Sequence, residues 1–347
     1  MAHLHLHFVH HRPRFLDVRM ALPAKALAGI EGLDVAEGGG LDLSAFPGEP
    51  KLIVHQRHMP WEDPDRLAPL RRTIQRGWVH VLEFDDHPDL VAAVNRTRMR
   101  PEHWEYLAAF HAIQTSTEPL ADLFRRHNPE VAVFPNAAFA LPAPERKAAR
   151  RVFFGALNRT AAGVEAARAL GPLAKARADV EFVVVADREV FEALGAANAT
   201  FSPALDYQAY LDLLRTCEIA LSPLGDSAYE ACKSDLKFIE AAANGAVTIA
   251  SPTVYAATIR DGVTGLIARA PEDWPRLLQR LLDDAALRQR LAGAAHDYVR
   301  GERLFARQVP ERVAWYRSLW DRRLELTEAI GQRVPTMRAR FDELRAA

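Results

Sequence analysis

The stretch Ser222-Pro-Leu-Gly-Asp-Ser-Ala-Tyr-Glu-Ala-Cys-Lys-Ser-Asp-Leu-Lys-Phe-Ile-Glu-Ala-Ala-Ala-Asn-Gly245 decides the fold. An apolar run, Ile219–Pro223, leads into it and another, Val247–Ala250, leads out. Short apolar runs bounded by turn residues read as buried strands. Between them Asp235–Asn244 has helical spacing and stops at a glycine, as helices commonly do. Strand, helix and strand in that order make a βαβ unit, and such units build a parallel sheet. Ser234 is a good N-cap for this helix. The free N–H groups and positive dipole end at its start suit a phosphate. Lys233 at the cap and Lys237 one turn in add point charges for a diphosphate. Glu240, on the same helix, can accept hydrogen bonds from a ribose diol. The plainer alternative leaves Ser234 as a cap and the lysines as solvated charges.

The same alternation continues outward in both directions. Strands are expected at Arg151–Gly155 and Val180–Ala186, with helices at Ala161–Leu170 and Tyr207–Thr216. Asp261-Gly-Val-Thr-Gly-Leu-Ile reads as a tight turn running into a short strand. In the first half, strands are expected at His3–Val9, Lys51–His55, Trp78–Phe84, His111–Thr115 and Val131–Phe134. Helices fit between them at Met20–Ala28, Asp65–Arg76, Arg100–Ala109 and Glu118–Arg126. Leu141-Pro-Ala-Pro-Glu-Arg-Lys, rich in proline and charge, reads as a linker. No repeat of 20–50 residues is visible, which argues against a solenoid. The predicted class is α/β: a Rossmann-like lobe over residues 1–140, a linker at 141–150, a second such lobe at 151–308 and a helical segment at 309–347. A ligand cleft is expected between the strand C-terminal ends of the two lobes. In the last segment Val309, Val313, Trp315, Tyr316, Leu319 and Trp320 form a stripe too apolar for water. It should dock, and beyond about Ala329 charge around Pro335 weakens the helical reading.

At 347 residues the chain has room for about two domains. A composition of 49% hydrophobic and 26% charged residues fits a soluble globular protein with a large core. Lys+Arg at 44 against Asp+Glu at 45 gives no reason to expect DNA or RNA as main partner. Two cysteines, Cys217 and Cys232, cannot make a disulfide framework. No apolar run approaches the roughly 18 residues of a membrane span, and the first residues lack the basic start of a secretory signal. The expected location is the cytoplasm.

Several other constellations carry weaker signals. Asp85-Asp-His-Pro-Asp89 contains a metal-binding pattern of carboxylates, but it follows a strand, whereas enzymes using that pattern are all-helical. Asp86 or His87 near a transferred group and a turn with capping aspartates are the two readings kept. His3, His5 and His7 share one strand face, but alternation spaces neighbours by nearly 7 Å, too far for ligands converging at about 2 Å. His10 or His11, at the strand's end, is the better functional candidate. Arg71, Arg72, Arg76, Arg96, Arg98 and Arg100 make the first lobe locally basic. A solvated face and attraction to an anionic lipid or acidic glycan both fit. Cys232 reads as a small buried residue.

The segment Ser234-Asp-Leu-Lys-Phe-Ile-Glu-Ala-Ala-Ala-Asn-Gly-Ala-Val-Thr-Ile-Ala-Ser251 resembles the donor-site loop and helix of GT-B glycosyltransferases with a family-4-like nucleotide-sugar domain, the group 1 transferases. Val254-Tyr-Ala-Ala-Thr-Ile-Arg-Asp-Gly-Val-Thr-Gly-Leu-Ile267, Pro271-Glu-Asp-Trp274 and Asp283-Asp284 continue the likeness. Gln56-Arg57, Glu83-Phe-Asp-Asp86, Thr115-Ser-Thr-Glu118 and Pro135-Asn136 resemble, more loosely, the bacterial surface-polysaccharide variant. The resemblance implies two Rossmann-like lobes facing a central cleft, with a C-terminal helix crossing back to the first lobe. It implies that Glu240, the second of two glutamates in the family's pattern, contacts the ribose. The first glutamate's place is held by Cys232, with Glu230 two residues out of register. The sugar hydroxyls are then left to the loop backbone, Lys233 or Glu230. Arg159 in Gly155-Ala-Leu-Asn-Arg159 matches the diphosphate-binding cation, Asp187 lies where the base-contacting backbone runs, and Ser234, Asp235 and Leu236 form the helix start.

The implied activity is transfer of a sugar from a nucleotide-diphosphate sugar to a glycan, lipid-linked or other acceptor, with retention. Charge on the departing diphosphate would be offset by Lys237, Lys233, Arg159 and the helix start, so no metal and no cofactor beyond the donor is expected. A bacterial polysaccharide pathway is the implied setting, with peripheral contact to an anionic membrane left open. A nucleotide-sugar epimerase of the same fold and a non-catalytic nucleotide-sugar-binding or scaffold protein are the competing readings. The sequence leaves nucleotide base, sugar, acceptor and oligomeric state open.

Overall fold

The structure, a computed structural model, describes residues 3–10, 17–40, 48–57, 59–63, 65–145, 147, 150–155 and 159–338. Two compact units emerge: Met1–Pro135 with Phe305–Ala347, and Asn136–Leu304.

The first unit holds a parallel sheet of β1 (Leu4–Val9), β2 (Leu33–Gly38), β3 (Lys51–Gln56), β4 (Val79–Glu83), β5 (Ala112–Thr115) and β6 (Val131–Val133), in the order β2-β1-β3-β4-β5-β6. The second holds β7 (Arg151–Gly155), β8 (Glu181–Val185), β9 (Ala199–Ser202), β10 (Ile219–Ser222), β11 (Val247–Ala250) and β12 (Leu266–Ile267), ordered β12-β11-β10-β7-β8-β9 and again parallel. Its central strands are apolar along their length because helices cover both faces. Phe153 and Phe154 go to opposite sides: Phe154 packs with Phe182, Leu170 and Leu278, Phe153 with Val183, Leu214 and Ala241. Strand order reverses between β1 and β3 in one sheet and between β7 and β10 in the other, and ligands of such sheets collect at these reversals.

Several elements differ from the sequence expectation. Strands β2 and β9 were not anticipated. Both are edge strands with half-exposed side chains, so they lack the continuous apolar run of a central strand. The short helices Pro88–Val94 and Arg188–Leu194 were also missed. The helix expected to stop at Leu170 runs from Thr160 to Ala176, through Pro172. Gly171 does not end it: a Cβ there would stand 3.1 Å from the Leu194 carbonyl oxygen, so the glycine permits close packing. The units exchange at Pro135/Asn136 and Leu304/Phe305, which places the expected linker in the second unit. Ala138 N donates there to Arg303 O at 2.8 Å, and Lys147 donates to the carbonyls of Arg215 and Asn244.

Helices Phe305–Asp321 and Arg323–Arg333 belong to the first unit. Tyr316, Leu319 and Trp320 are buried, and the Tyr316 hydroxyl donates to Gln114 Oε1 at 2.7 Å. Trp315 is half-buried and donates from Nε1 to Glu130 Oε1 at 3.3 Å. The middle of the buried face is a charged residue, Arg312, whose guanidinium lies 4.0 Å from the centre of the Phe134 ring. Burial continues past Ala329 through Ile330, Val334 and Met337. Among the described residues no helix is long and apolar enough to cross a membrane.

A chain of histidines runs through the first sheet. Thr73 Oγ1 lies within hydrogen-bond distance of His80 Nε2 at 2.7 Å, and His80 Nδ1 pairs with His55 Nε2 at 2.8 Å. His111 Nδ1 accepts the His80 backbone N–H at 2.9 Å, and its Nε2 donates to Thr327 Oγ1 at 3.1 Å. Burial drives the pKa of His80 well below the usual value and that of His111 down to about 3, so both rings are neutral.

Candidate functional site

The site is assembled at the C-terminal ends of β7, β10 and β11, beside the second sheet's reversal. Helix Leu236–Ala243 begins one residue later than expected, and its N-cap residue is Asp235, not Ser234. Ser234 Oγ accepts from Asn136 Nδ2 at 2.7 Å and from Leu236 N, at the helix start, at 3.4 Å. Asp235 makes no side-chain cap, because its carboxylate is held by Arg303 and Thr258.

One turn on, Lys237 Nζ donates to Glu240 Oε2 and to the Tyr210 hydroxyl, each at 3.0 Å. It also sits 4.3 Å from the centre of the Tyr210 ring. Glu240 is only 4% exposed, and its Oε1 has no hydrogen-bond partner among the described residues. Burial first, and the Glu240 charge second, push the Tyr210 phenol well above its ordinary pKa. The hydroxyl therefore stays protonated.

Arg159 follows the end of β7 and is buried against Tyr255, to whose hydroxyl it donates. Burial raises the Tyr255 pKa although Arg159 opposes the shift. Gly155 ends β7, where a Cβ would stand 2.4 Å from the Phe153 ring and 3.2 Å from that of Tyr210. No larger residue fits. Asp187 caps helix Arg188–Leu194 by accepting from Val190 N at 3.3 Å and accepts from Thr160 Oγ1 at 2.8 Å. Its carboxylate is engaged, but Ala186 before it has φ +71°. A non-glycine residue held in the left-handed region at a strand end is a frequent feature of binding backbone. Residues 156–158, between Gly155 and Arg159, lie outside the described residues.

The loop after β10 is organised by Glu230. Its carboxylate accepts from Gly225 N at 2.9 Å, Ser227 N at 3.3 Å and Ser227 Oγ at 2.7 Å. Cys232 is buried, and Lys233 stands half-buried just before the helix start.

The other expected residues fall in the first unit. His87 caps helix Pro88–Val94, its Nδ1 accepting from Asp89 N at 3.2 Å, and burial lowers its pKa. Asp85 and Asp86 both accept from Arg57 Nη1, at 3.2 and 2.6 Å. Glu83 holds Arg19 through two bonds of 2.8 and 3.0 Å. His10 lies 3.7 Å from Glu37, and His11 is outside the described residues. His3 and His5 both face Asp34, while His7 is buried. No group of three or more His, Cys, Asp or Glu suited to a metal occurs among the described residues.

Sequence reasoning missed Tyr210, Tyr255, Arg303 and Thr258. Tyr210 was readable only as part of a predicted helix, Tyr255 only as part of a segment resembling the donor domain, and Arg303 had no local signal at all.

Residues 159–312 match the glycosyl transferase-like family model. Three similar solved structures are a glycosyltransferase from Rickettsia africae ESF-5, a UDP-forming α,α-trehalose-phosphate synthase from Burkholderia xenovorans, and a mutant of S. aureus TarM in complex with fondaparinux, α-GlcNAc-glycerol and UDP. Sequence identity is 12%, 12% and 11%, and TM-scores are 0.62, 0.61 and 0.57. The first two comparisons cover 92% of this chain and 98% and 99% of theirs; that with TarM covers 76% of this chain and 55% of that one. The chain thus spans about half the length of TarM. No curated protein matches the sequence. These likenesses show a shared α/β fold, and residues 159–312 are similar to the glycosyl transferase-like family.

Proposed function

We propose that the protein transfers a sugar from a nucleoside-diphosphate sugar to a glycan, lipid-linked or other acceptor, with retention and without a metal. Glu240 carries this reading. A buried carboxylate oxygen without a donor is costly, and a ribose diol supplies the missing hydroxyl next to a helix start and two cations, Lys237 and Arg159. UDP is the first nucleotide to try, because the S. aureus TarM structure holds UDP and the Burkholderia xenovorans enzyme is UDP-forming.

In this mechanism the donor's diphosphate meets the Lys237 amide, with Lys237, Lys233 and Arg159 offsetting charge as the sugar–phosphate bond lengthens. The leaving phosphate oxygen takes the acceptor's proton, so no separate base is required. Ala186 and Asp187 offer backbone to the base. Asp86 and His87, in the first unit, are the candidates for the acceptor side.

The test is incubation with UDP-, GDP-, dTDP- and ADP-sugars while nucleotide release is followed. Slow nucleotide release, accelerated by an acceptor, supports transfer. Isomerised sugar without release identifies an epimerase, and binding without turnover a scaffold.

A further inference from the structure

Asp235 occupies the N-cap of helix Leu236–Ala243 without capping it. An aspartate in this position ordinarily turns its carboxylate onto the second or third amide of the helix. Here both oxygens are claimed from elsewhere. Arg303 donates from Nη2 to Oδ1 at 2.8 Å and from Nη1 to Oδ2 at 2.6 Å, and Thr258 Oγ1 donates to Oδ2 at 2.8 Å. Two parallel charge-assisted bonds fix the carboxylate in orientation as well as position. The backbone at Asp235 (φ −80°, ψ 15°) lies outside the extended region a capping residue adopts. Arg303 is held in turn by its bond to Asn136 O at 2.7 Å. Both side chains are nearly buried, so the pair is not a chance surface contact.

We infer that Arg303, assisted by Thr258, is a positioning residue for the donor: it keeps the Asp235 carboxylate off the first turn of the helix and neutralises it, leaving the Lys237 amide, the one of the first three not bonded to Ser234 Oγ or to the Asp235 carbonyl, to an anionic diphosphate. The inference rests on the donor reading above and names the device that holds that site open. The unpartnered Oε1 of Glu240, one turn further along, independently points to a ligand at this end of the helix. Loss of Arg303 acts twice in one direction. The carboxylate is released to occupy the Lys237 amide, and an uncompensated negative charge remains where the diphosphate would bind. Both effects disappear when Asp235 is removed as well.

The experiment compares wild type, Arg303→Gln, Asp235→Ala and the double variant by exchange of the Lys237 amide and by affinity for UDP and for inorganic diphosphate. Arg303→Gln is expected to protect this amide and weaken both ligands by about tenfold or more. The double variant should lose the protection and regain most of the affinity. A merely architectural Arg303 would leave the double variant no better than Arg303→Gln. Unchanged exchange in Arg303→Gln, or no recovery in the double variant, overturns the inference. The exchange readout needs no ligand: if wild type binds neither UDP nor diphosphate, the donor reading fails while the withheld cap is still decided. Should Arg303→Gln not fold, Arg303→Lys keeps the charge but cannot grip both oxygens. It should show the same changes in smaller measure, and wild-type exchange and affinity there would equally sink the idea.

Discussion

Lys237 Nζ and Glu240 Oε2 stand 3.0 Å apart, one helical turn from each other, with the Tyr210 ring stacked under the ammonium. Two residues to which the sequence assigns separate tasks, phosphate and ribose, are thus bonded to each other through Oε2, and Oε1 is the oxygen the proposed ribose contact would use.

Glu240→Ala should therefore weaken UDP and UDP-sugar alike, since both carry the ribose. Charge-assisted bonds of roughly 1.5–3 kcal/mol correspond to about 10- to 150-fold in affinity. Isothermal calorimetry on the folded variant checks this, and unchanged affinity removes Glu240 from the site.

Tyr255→Phe deletes the hydroxyl that fixes Arg159 but keeps the buried ring. Turnover should fall about tenfold, with little change in thermal midpoint. Arg159→Met should cost about a hundredfold or more, since it removes a charge that the proposed mechanism places at the leaving group. Steady-state kinetics beside melting curves separate the two effects, and equal losses in both variants would show that Arg159 needs no tether.

Chelation is the third test. Charge stabilisation is assigned to Arg159, Lys233, Lys237 and a helix start, so EDTA should leave turnover unchanged. Activity lost to EDTA and restored by Mn²⁺ or Mg²⁺ would instead return Asp85 and Asp86, which share Arg57, to consideration.

Acid should destabilise the first unit through His80 and His111. Their folded pKa values are depressed, His111 to about 3, whereas an unfolded histidine titrates near 6.5. The unfolded chain then binds more protons throughout that window. Stability from neutral rings is complete above pH of about 6.5 and falls as pH drops, for His111 by up to about 1.4 kcal/mol per pH unit down to its folded pKa of about 3. Denaturant melts at several pH values should show this slope, and His111→Gln, which preserves a donor and an acceptor, should flatten it.

Truncation before Pro310 removes Arg312, Tyr316, Leu319 and Trp320 from the first unit's core. Aggregation, not a weaker soluble enzyme, is the expected result. Tyr316→Phe is the milder probe: it loses only the bond to Gln114, worth about 1 kcal/mol. A soluble, fully active truncation would show that the docked helices are dispensable.

What the sequence made legible follows from where apolar residues concentrate. The strands Arg151–Gly155 and Val247–Ala250 are visible to the residue, because buried parallel strands are continuous apolar runs. Edge strands β2 and β9, half-solvated, carry no such run. The helix at 236–243 was legible from its spacing and its terminal glycine, but its cap was not. Ser234 has the better local chemistry; Asp235 takes the position, its carboxylate held by Arg303, far away in sequence. Tyr210 and Tyr255 were hidden for the same reason. A buried hydroxyl's partner is chosen by the fold, and nothing near it in the chain announces the choice.

The first unit is made of two segments with the whole second unit between them. During synthesis its six strands leave the ribosome first, yet the surface covered by Tyr316, Leu319 and Trp320 stays bare until residues 305–333 follow. At roughly 5–20 residues per second that delay is on the order of ten to thirty seconds, long enough for an open apolar sheet to need a chaperone's shelter. The second unit, continuous in sequence, can meanwhile finish its own core. The chain is synthesised from front to back and completed from the middle outward.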